Sequence, residues 1–171
     1  MRTQAVTVLP YDPGWKKAFE KIKAPLLREL SPWLAAVEHV GSTSVEGLWA
    51  KPIIDLDLVL QSPDCFLPVK QGLERLGYYH EGDLGIPQRE AFGYGDKPEL
   101  MAHHLYVCPP DSPELRRHLT FRDYLRTHPD QADRYSQIKR IAAARFPQDI
   151  DGYMAMKGPC IQEIYRQCGL L

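Results

Sequence analysis

The feature that most constrains the fold is the apolar run from Ile53 to Leu60, which carries two carboxylates, Asp55 and Asp57. The branched apolar residues of this run favour a strand, although aspartate is uncommon in strands. Successive strand side chains point to opposite faces, so Asp55 and Asp57 share one face, and the apolar residues beginning with Ile54 share the other. An unpaired buried charge is costly. We therefore expect a strand inside the sheet, with its apolar face buried and its acidic face opening on a cleft.

Two carboxylates on one strand face are suited to a hard cation. Mg²⁺ is commonly held by one or two carboxylates, with waters and substrate phosphates completing its shell, and Mn²⁺ could take its place. The competing interpretation is that the two acids protect a sheet edge against aggregation. The metal site is favoured because Gly41-Ser42 lies fourteen residues ahead of Asp55. Glycine allows the backbone to approach a ligand closely, and successive N–H groups in a turn form an anion-binding nest.

The order Gly-Ser, spacer, then hydrophobic-Asp-hydrophobic-Asp-hydrophobic resembles the signature of the nucleotidyltransferase superfamily that includes DNA polymerase β. More narrowly, HVGSTSVEGLWAKPIIDLDLVL is similar to the GrpB family of small bacterial proteins. The similarity covers nearly the whole chain, since further segments also match: VLPYDPGWKKAFE, GIPQREAF, HHLYV, FRDYLRTHPDQADRY and YMAMKGPCIQEI.

This resemblance implies an α+β fold in which a small mixed β-sheet is backed by helices and the C-terminal part is helical. It also implies Mg²⁺-dependent transfer of NMP from an NTP to an unknown hydroxyl acceptor. Asp55 and Asp57 match the motif as metal ligands and catalytic residues. The residues predicted to contact the nucleotide come from the turn, the approach to the acidic strand, a later hairpin and the late helices: Gly41, Ser42, Thr43, Lys51, Arg89, Lys139 and Lys157.

Some of these assignments have ordinary alternatives. Lys139 and Lys157 lie where the GrpB pattern also places lysines, but a surface lysine is the default interpretation. Arg89 could bind a phosphate or an acidic acceptor through its planar guanidinium, or it could be a solvated hairpin residue.

The superfamily usually adds a third carboxylate on a neighbouring strand, and the sequence offers no clear equivalent. Glu90 and Glu99 are candidates. A later strand instead alternates so that His104 and Tyr106 share one face, which we predict to be the cleft face. His104 is therefore a predicted catalytic residue, although a one-residue shift in register would exchange it with its neighbour. The alternative function is a non-catalytic nucleotide- and metal-binding module that lacks the third acid.

The pattern along the chain predicts one domain over residues 1–171. We expect a first strand over 4–9, a helix capped by Asp12 and broken near Pro25, a mixed sheet in the middle, and C-terminal helices, the last of which is bent or split at Gly158-Pro159. Strands are expected at 78–81, 89–94 and 102–108.

The charge and composition of the chain indicate which kinds of partner to expect. The net charge is −1, so a long nucleic-acid acceptor is not expected, and a small-molecule or protein acceptor is favoured. No apolar run approaches the length of a membrane span, so no membrane association is expected. The four cysteines are scattered and form no metal-binding pair. With no apolar leader segment at the start, this pattern predicts a cytoplasmic protein.

Overall fold

A computed structural model describes residues 5–171 as a five-stranded sheet with helices on both of its faces. The strands are β1 (Leu34–Val40), β2 (Ile54–Leu60), β3 (Tyr78–Gly82), β4 (Glu90–Tyr94) and β5 (His103–Cys108). The helices are α1 (Gly14–Leu30), α2 (Phe66–Arg75), α3 (Pro113–Thr127), α4 (Pro129–Arg145) and α5 (Ile150–Gln167).

The strand order is β1-β2-β5-β4-β3. Strands β2 and β5 are parallel, and the other neighbouring strands are antiparallel, so the sheet is mixed as predicted. The acidic strand β2 lies between β1 and β5, which confirms that it is an interior strand. Its residues Ile54, Leu56 and Leu58 are completely buried.

Those three side chains belong to the main core. They pack against the apolar stripe of α1, including Ile22 and Leu26, and against Val69 and Leu73 of α2. Burial of an apolar side chain of this size stabilises the fold by about 1.5–3 kcal/mol. This packing holds the strand in one register, because a slip of one residue would turn both aspartates into the core.

The other sheet face carries the carboxylates. Helix α3 covers one end of it, where Leu115 packs on Val59 and Cys108. Helices α4 and α5 instead pack around Val45 and Leu48, just after the Gly-Ser turn. The C-terminal helices therefore form one wall of a cleft beside the acidic face.

The prolines do not break the helices as the sequence suggested. Helix α1 runs through Pro25 and α5 runs through Pro159. A proline removes one helical hydrogen bond. In α1, residues on both sides of Pro25, such as Phe19 and Leu30, remain buried on the same apolar stripe, and this packing keeps the helix continuous.

The N-terminal prediction was only partly correct. Asp12 Oδ1 accepts a hydrogen bond from the Gly14 amide at 2.8 Å, but the N-cap position of α1 is Pro13, one residue later than expected. Position 4 of the expected strand lies outside the described residues, and its remainder forms only an isolated bridge between Leu9 and Ala50. Within residues 5–171, no helix is long and apolar enough to cross a membrane.

Candidate functional site

The Gly-Ser turn lies directly against the first aspartate of the acidic strand. Gly41 has φ of +72° and precedes a single 3-10 turn, Ser42–Ser44. A Cβ at Gly41 would overlap the carboxylate of Asp55. Glycine is therefore required twice, by the left-handed backbone and by the close approach of this turn to Asp55.

A buried hydrogen-bonded chain supports this turn from below. The Thr43 hydroxyl donates to the Ile53 carbonyl at 3.2 Å, so His39 Nε2 must donate to Thr43 Oγ1, at 2.9 Å. The His39 ring also stacks on Phe19. Burial lowers the pKa of His39 to about 4, and the nearby Arg126 and Arg122 contribute to the shift against the opposing charge of Asp55. Thr43 therefore fixes the turn to the start of β2.

A cleft of about 200 Å³ lies between this turn, β2, β5 and the last two helices. Most of the predicted site residues line it: Ser42, Thr43, Lys51, Asp55, His104, Lys139 and Lys157. Residues that are distant in sequence therefore meet in one place. Ile53 and Tyr153 complete the wall, and Tyr153 was not predicted from the sequence.

Three lysines, Lys51, Lys139 and Lys157, meet at the cleft. Lys139 is 1% exposed, and its Nζ donates to Ser42 Oγ at 2.9 Å. Burial lowers the pKa of Lys139 well below its ordinary value, and the charges of Lys157 and Lys51 lower it further. Burial together with Lys51 lowers the pKa of Lys157 to about 8. An anion in the cleft would offset both the burial and the mutual repulsion.

Lys51 and Lys157 also share a neighbour. Their Nζ atoms lie 4.8 Å and 4.9 Å from the centre of the Tyr153 ring. An aromatic ring attracts cations through its electron-rich face. Tyr153 therefore helps to hold both ammonium groups at the cleft although no carboxylate pairs with either of them among residues 5–171.

The acidic pair occupies two different environments. Asp55 faces the cleft, and its Oδ1 accepts a hydrogen bond from His104 Nδ1 at 2.9 Å. His104 is on the predicted face, because β5 pairs with β2 in the register Asp55 to His104 and Asp57 to Tyr106. The His104 side chain is 46% exposed, and its Nε2 has no hydrogen-bond partner within residues 5–171.

Asp57 is 1% exposed and does not line the cleft. Its Oδ2 accepts a hydrogen bond from His118 Nδ1 at 2.6 Å, and His118 Nε2 lies 3.1 Å from Glu114 Oε1. Burial raises the pKa of Asp57 in spite of the bond from His118. For His118, burial acts in the opposite direction, but Asp57 and Glu114 outweigh it and raise the pKa.

The other Asp57 oxygen, Oδ1, is buried without a hydrogen-bond partner. An unsatisfied buried oxygen is uncommon and needs an explanation. It is a free hard-oxygen ligand on the same face as Asp55, so this donor set fits a Mg²⁺ or Mn²⁺ ion that completes its shell with waters and phosphate oxygens. Among residues 5–171, no three His, Cys, Asp or Glu side chains converge as a ready-made metal site.

Neither of the two predicted candidates for a third acid, Glu90 and Glu99, lies beside the two aspartates. Glu90 pairs in register with Val107 and so lies on the core face, where it bonds His80 at 2.8 Å. Glu99 lies in a loop beside a different pocket. Tyr106 occupies the β5 position opposite Asp57.

A carboxylate does neighbour Asp57 on the other side. Glu38 of β1 pairs with Asp57 in register, and Arg122 of α3 binds its carboxylate at 2.8 Å. Sequence reasoning missed both Glu38 and His118. The sequence around Glu38 does not show that Glu38 lies beside Asp57 unless the β1–β2 register is known. His118 lies on helix α3, and no sequence pattern near it indicates that this helix packs on Asp57.

Of the predicted nucleotide contacts, Gly41 and Arg89 are not among the residues that line the cleft. The guanidinium carbon of Arg89 is 4.2 Å from the centre of the Tyr106 ring. It therefore lies over Tyr106, on the acidic sheet face but apart from the lysines.

Comparison with solved structures defines the class of fold. The poly(U) polymerase Cid1 with bound MgGTP superposes with a TM-score of 0.53 over 80% of this chain and 44% of that chain, at 14% identity. The fold is thus α+β and nucleotidyltransferase-like, as predicted from the sequence.

The family follows from closer relatives. The model of the GrpB protein family matches residues 5–167, and the chain belongs to this family. A crystal structure of GrpB from Enterococcus faecalis superposes with a TM-score of 0.82 at 34% identity, covering 95% of this chain and 96% of that one.

Curated relatives agree with this assignment. The UPF0157 protein YqkA of Bacillus subtilis is 33% identical over 157 residues, which are 92% of this chain and 45% of YqkA. The UPF0157 protein PA4798 of Pseudomonas aeruginosa is 37% identical over 163 residues, which are 93% of this chain and 66% of PA4798. The chain thus spans about half to two thirds of the length of these two relatives.

Proposed function

We propose that this protein is a Mg²⁺-dependent nucleotidyltransferase that transfers NMP from an NTP to the hydroxyl group of an acceptor. The observation that carries the proposal is the meeting of a three-lysine cleft with an acidic strand face at the Gly-Ser turn. The Cid1 structure shares the fold and was solved with MgGTP, which supports the same ligand class here.

The triphosphate would occupy the cleft. Lys51, Lys139 and Lys157 would neutralise its oxygens, and the Ser42 hydroxyl and the amides of the turn would donate hydrogen bonds to it. The low pKa values of the lysines support this role, because binding a polyanion would restore their ordinary affinity for protons.

The carboxylates would act at the other end of the triphosphate. Asp55 and the unpartnered Asp57 Oδ1 would hold the metal, which neutralises charge on the transferring phosphorus and on the departing pyrophosphate. The hydrogen bonds from His104 and His118 would orient the two carboxylates, as such supporting bonds do around metal ligands.

The reaction forms a bond between the acceptor oxygen and the α-phosphorus and breaks the bond from that phosphorus to pyrophosphate. The acceptor proton must go to a base. His104 is suited to receive it, because its Nδ1 would donate to Asp55 while its Nε2 has no hydrogen-bond partner within residues 5–171. This role would replace the third carboxylate of the superfamily pattern.

The second candidate function is a nucleotide- and metal-binding module without catalysis. One observation favours it: Tyr106, which is not a metal ligand, stands beside Asp57 where a third acid would be expected. Glu38 does not resolve the question, because Arg122 already binds its carboxylate.

Transfer of label separates the two functions. The purified protein would be incubated with Mg²⁺, α-³²P-labelled NTPs in turn, and a desalted or complete cell extract as the source of acceptors. Pyrophosphate release together with label on a new product is expected, and His104→Ala should reduce both by about 10²–10⁴-fold, the usual range for a general base. Nucleotide binding without any transfer would contradict the enzyme and favour the module.

A further inference from the structure

The acceptor must approach from a defined side of the acidic pair. In phosphoryl and nucleotidyl transfer, the attacking and leaving oxygens are roughly in line. If pyrophosphate leaves among the lysines of the cleft, the acceptor hydroxyl arrives from the opposite side. The inference below rests on the proposed function in this respect.

Tyr106 and Arg89 belong to that opposite side. Tyr106 shares the sheet face of Asp55 and Asp57 and is next to Asp57 in register. Its ring lies between two histidines that bind the aspartates, with centroid distances of 6.4 Å to His104 and 6.4 Å to His118. The Arg89 guanidinium stacks on this ring at 4.2 Å.

Arg89 differs from the arginines of the fold that form ion pairs. Arg75, Arg117, Arg122 and Arg134 each pair with a carboxylate. Arg89 has no hydrogen bond or ion pair from its side chain to any residue in 5–171, and its Nε is buried without a partner. A half-buried guanidinium with unused donors is a strong site for a carboxylate or a phosphate.

We propose that Arg89, stacked on Tyr106, binds an anionic group of the acceptor, which is a small hydroxylated molecule carrying a carboxylate or a phosphate. The net charge of −1 favours such a small acceptor over a long nucleic acid. Arg89 is then an acceptor-binding residue, in place of the nucleotide contact that the sequence suggested.

The geometry explains why an anion belongs here. The acidic pair repels a negatively charged acceptor, so a single fixed cation beside it compensates that repulsion and fixes orientation. Stacking on Tyr106 restrains the guanidinium plane, so that its fork presents two parallel donors. The anion would be anchored beside Tyr106 while the hydroxyl points toward Asp55 and His104.

The test measures nucleotide and anion binding separately. Wild type, Arg89→Met and Arg89→Lys would first be titrated with Mg²⁺ and α,β-methylene-ATP, which cannot be cleaved at the α-phosphate. The saturated complexes would then be titrated with glyceric acid, glycerol 3-phosphate and neutral glycerol, followed by NMR. Arg75→Met is the matched control, because it removes an arginine whose partner is Glu29.

The nucleotide Kd should be unchanged within about twofold in all variants. Arg89→Met should weaken binding of glycerate or glycerol 3-phosphate at least about tenfold, as expected for a lost charged hydrogen bond, and Arg89→Lys should recover part of it. Arg75→Met should match wild type. Equal anion binding by wild type and Arg89→Met, or no anion binding by the wild-type complex, would overturn the inference while leaving nucleotide binding intact.

Two further outcomes are diagnostic. A wild-type protein that does not bind the Mg²⁺-nucleotide would refute the proposed function itself, and this inference with it. An RNA oligonucleotide that binds more tightly than the small anions, and with the same dependence on Arg89, would contradict the proposal that the acceptor is a small molecule.

Discussion

The buried His39, which donates a hydrogen bond to Thr43 in the Gly-Ser turn, should make the protein lose stability in acid. His39 is 8% exposed, it stacks on Phe19, and its Nε2–H donates to Thr43. Its pKa is lowered from 6.5 to about 4, mainly by burial. The folded protein therefore keeps this ring neutral at pH values at which the unfolded chain already binds a proton.

The sign and size of the effect follow from linkage. The His39 pKa is lower in the folded state, so its contribution to stability is fully present above 6.5 and is lost as the pH falls toward 4. A shift of this size corresponds to about 3 kcal/mol in total, of which about 2 kcal/mol is lost between pH 7 and pH 5.

The perturbation is His39→Gln, which removes the titrating ring. The free energy of unfolding of wild type and variant would be measured by urea denaturation at half-unit steps from pH 7.5 to 4.5. Other groups titrate in both proteins, so the relevant quantity is the difference between the two curves. The variant should be less stable at pH 7, and its deficit should shrink by about 2 kcal/mol by pH 5. A deficit that stays constant with pH would refute the assignment of a buried neutral imidazole.

Four further predictions concern the cleft and strand β5. Gly41→Ala should abolish nucleotide binding in calorimetry and destabilise the fold by about 1–3 kcal/mol more than Gly47→Ala, because both have positive φ but only Gly41 lies against Asp55; equal behaviour would contradict the close approach. His103→Ala should lower the free energy of unfolding by about 2–4 kcal/mol, because it loses the hydrogen bond from Tyr78 and the stacking on Tyr94. His104→Ala should change stability by less than about 1 kcal/mol but impair turnover, and the reverse pattern in thermal melts and transfer assays would mean that the faces are misassigned. Nucleotide affinity should fall as the pH rises above about 8, because the pKa of Lys157 is lowered to about 8 and the residue must take up a proton to bind phosphate; Lys157→Met should flatten this dependence, and an unchanged slope would exclude Lys157 from the phosphate site.

The sequence predicted the sheet well where one short-range pattern decided the structure. The alternation in β2 and β5 identified the buried face of each strand, because placing Asp55 in the core would leave an uncompensated charge there and because the apolar Leu105 and Val107 lie on the face opposite His104. The Gly-Ser turn was also readable, since its left-handed backbone and its closeness to Asp55 both require glycine at position 41.

The sequence did not reveal features that depend on tertiary packing. His118 reaches Asp57 only because α3 crosses the acidic face, and Glu38 faces Asp57 only through the β1–β2 register. Pro25 failed to break α1 because the buried stripe continues on both sides of it. Arg89 lies over Tyr106 and not among the residues that line the cleft, because it directly precedes β4, which pairs with β5.

The most direct test of the central claim is calorimetry of nucleotide binding with and without Mg²⁺. Wild type would be compared with Asp55→Asn/Asp57→Asn and with Asp64→Asn/Asp111→Asn, a control with the same change in charge at two exposed carboxylates. Circular dichroism would verify that all three proteins are folded. We predict that Mg²⁺ strengthens binding of α,β-methylene-ATP to wild type and to the control at least about tenfold, and that the acidic-strand variant loses this enhancement. An unchanged Mg²⁺-dependent affinity in Asp55→Asn/Asp57→Asn would contradict the claim that this strand holds the metal and its nucleotide.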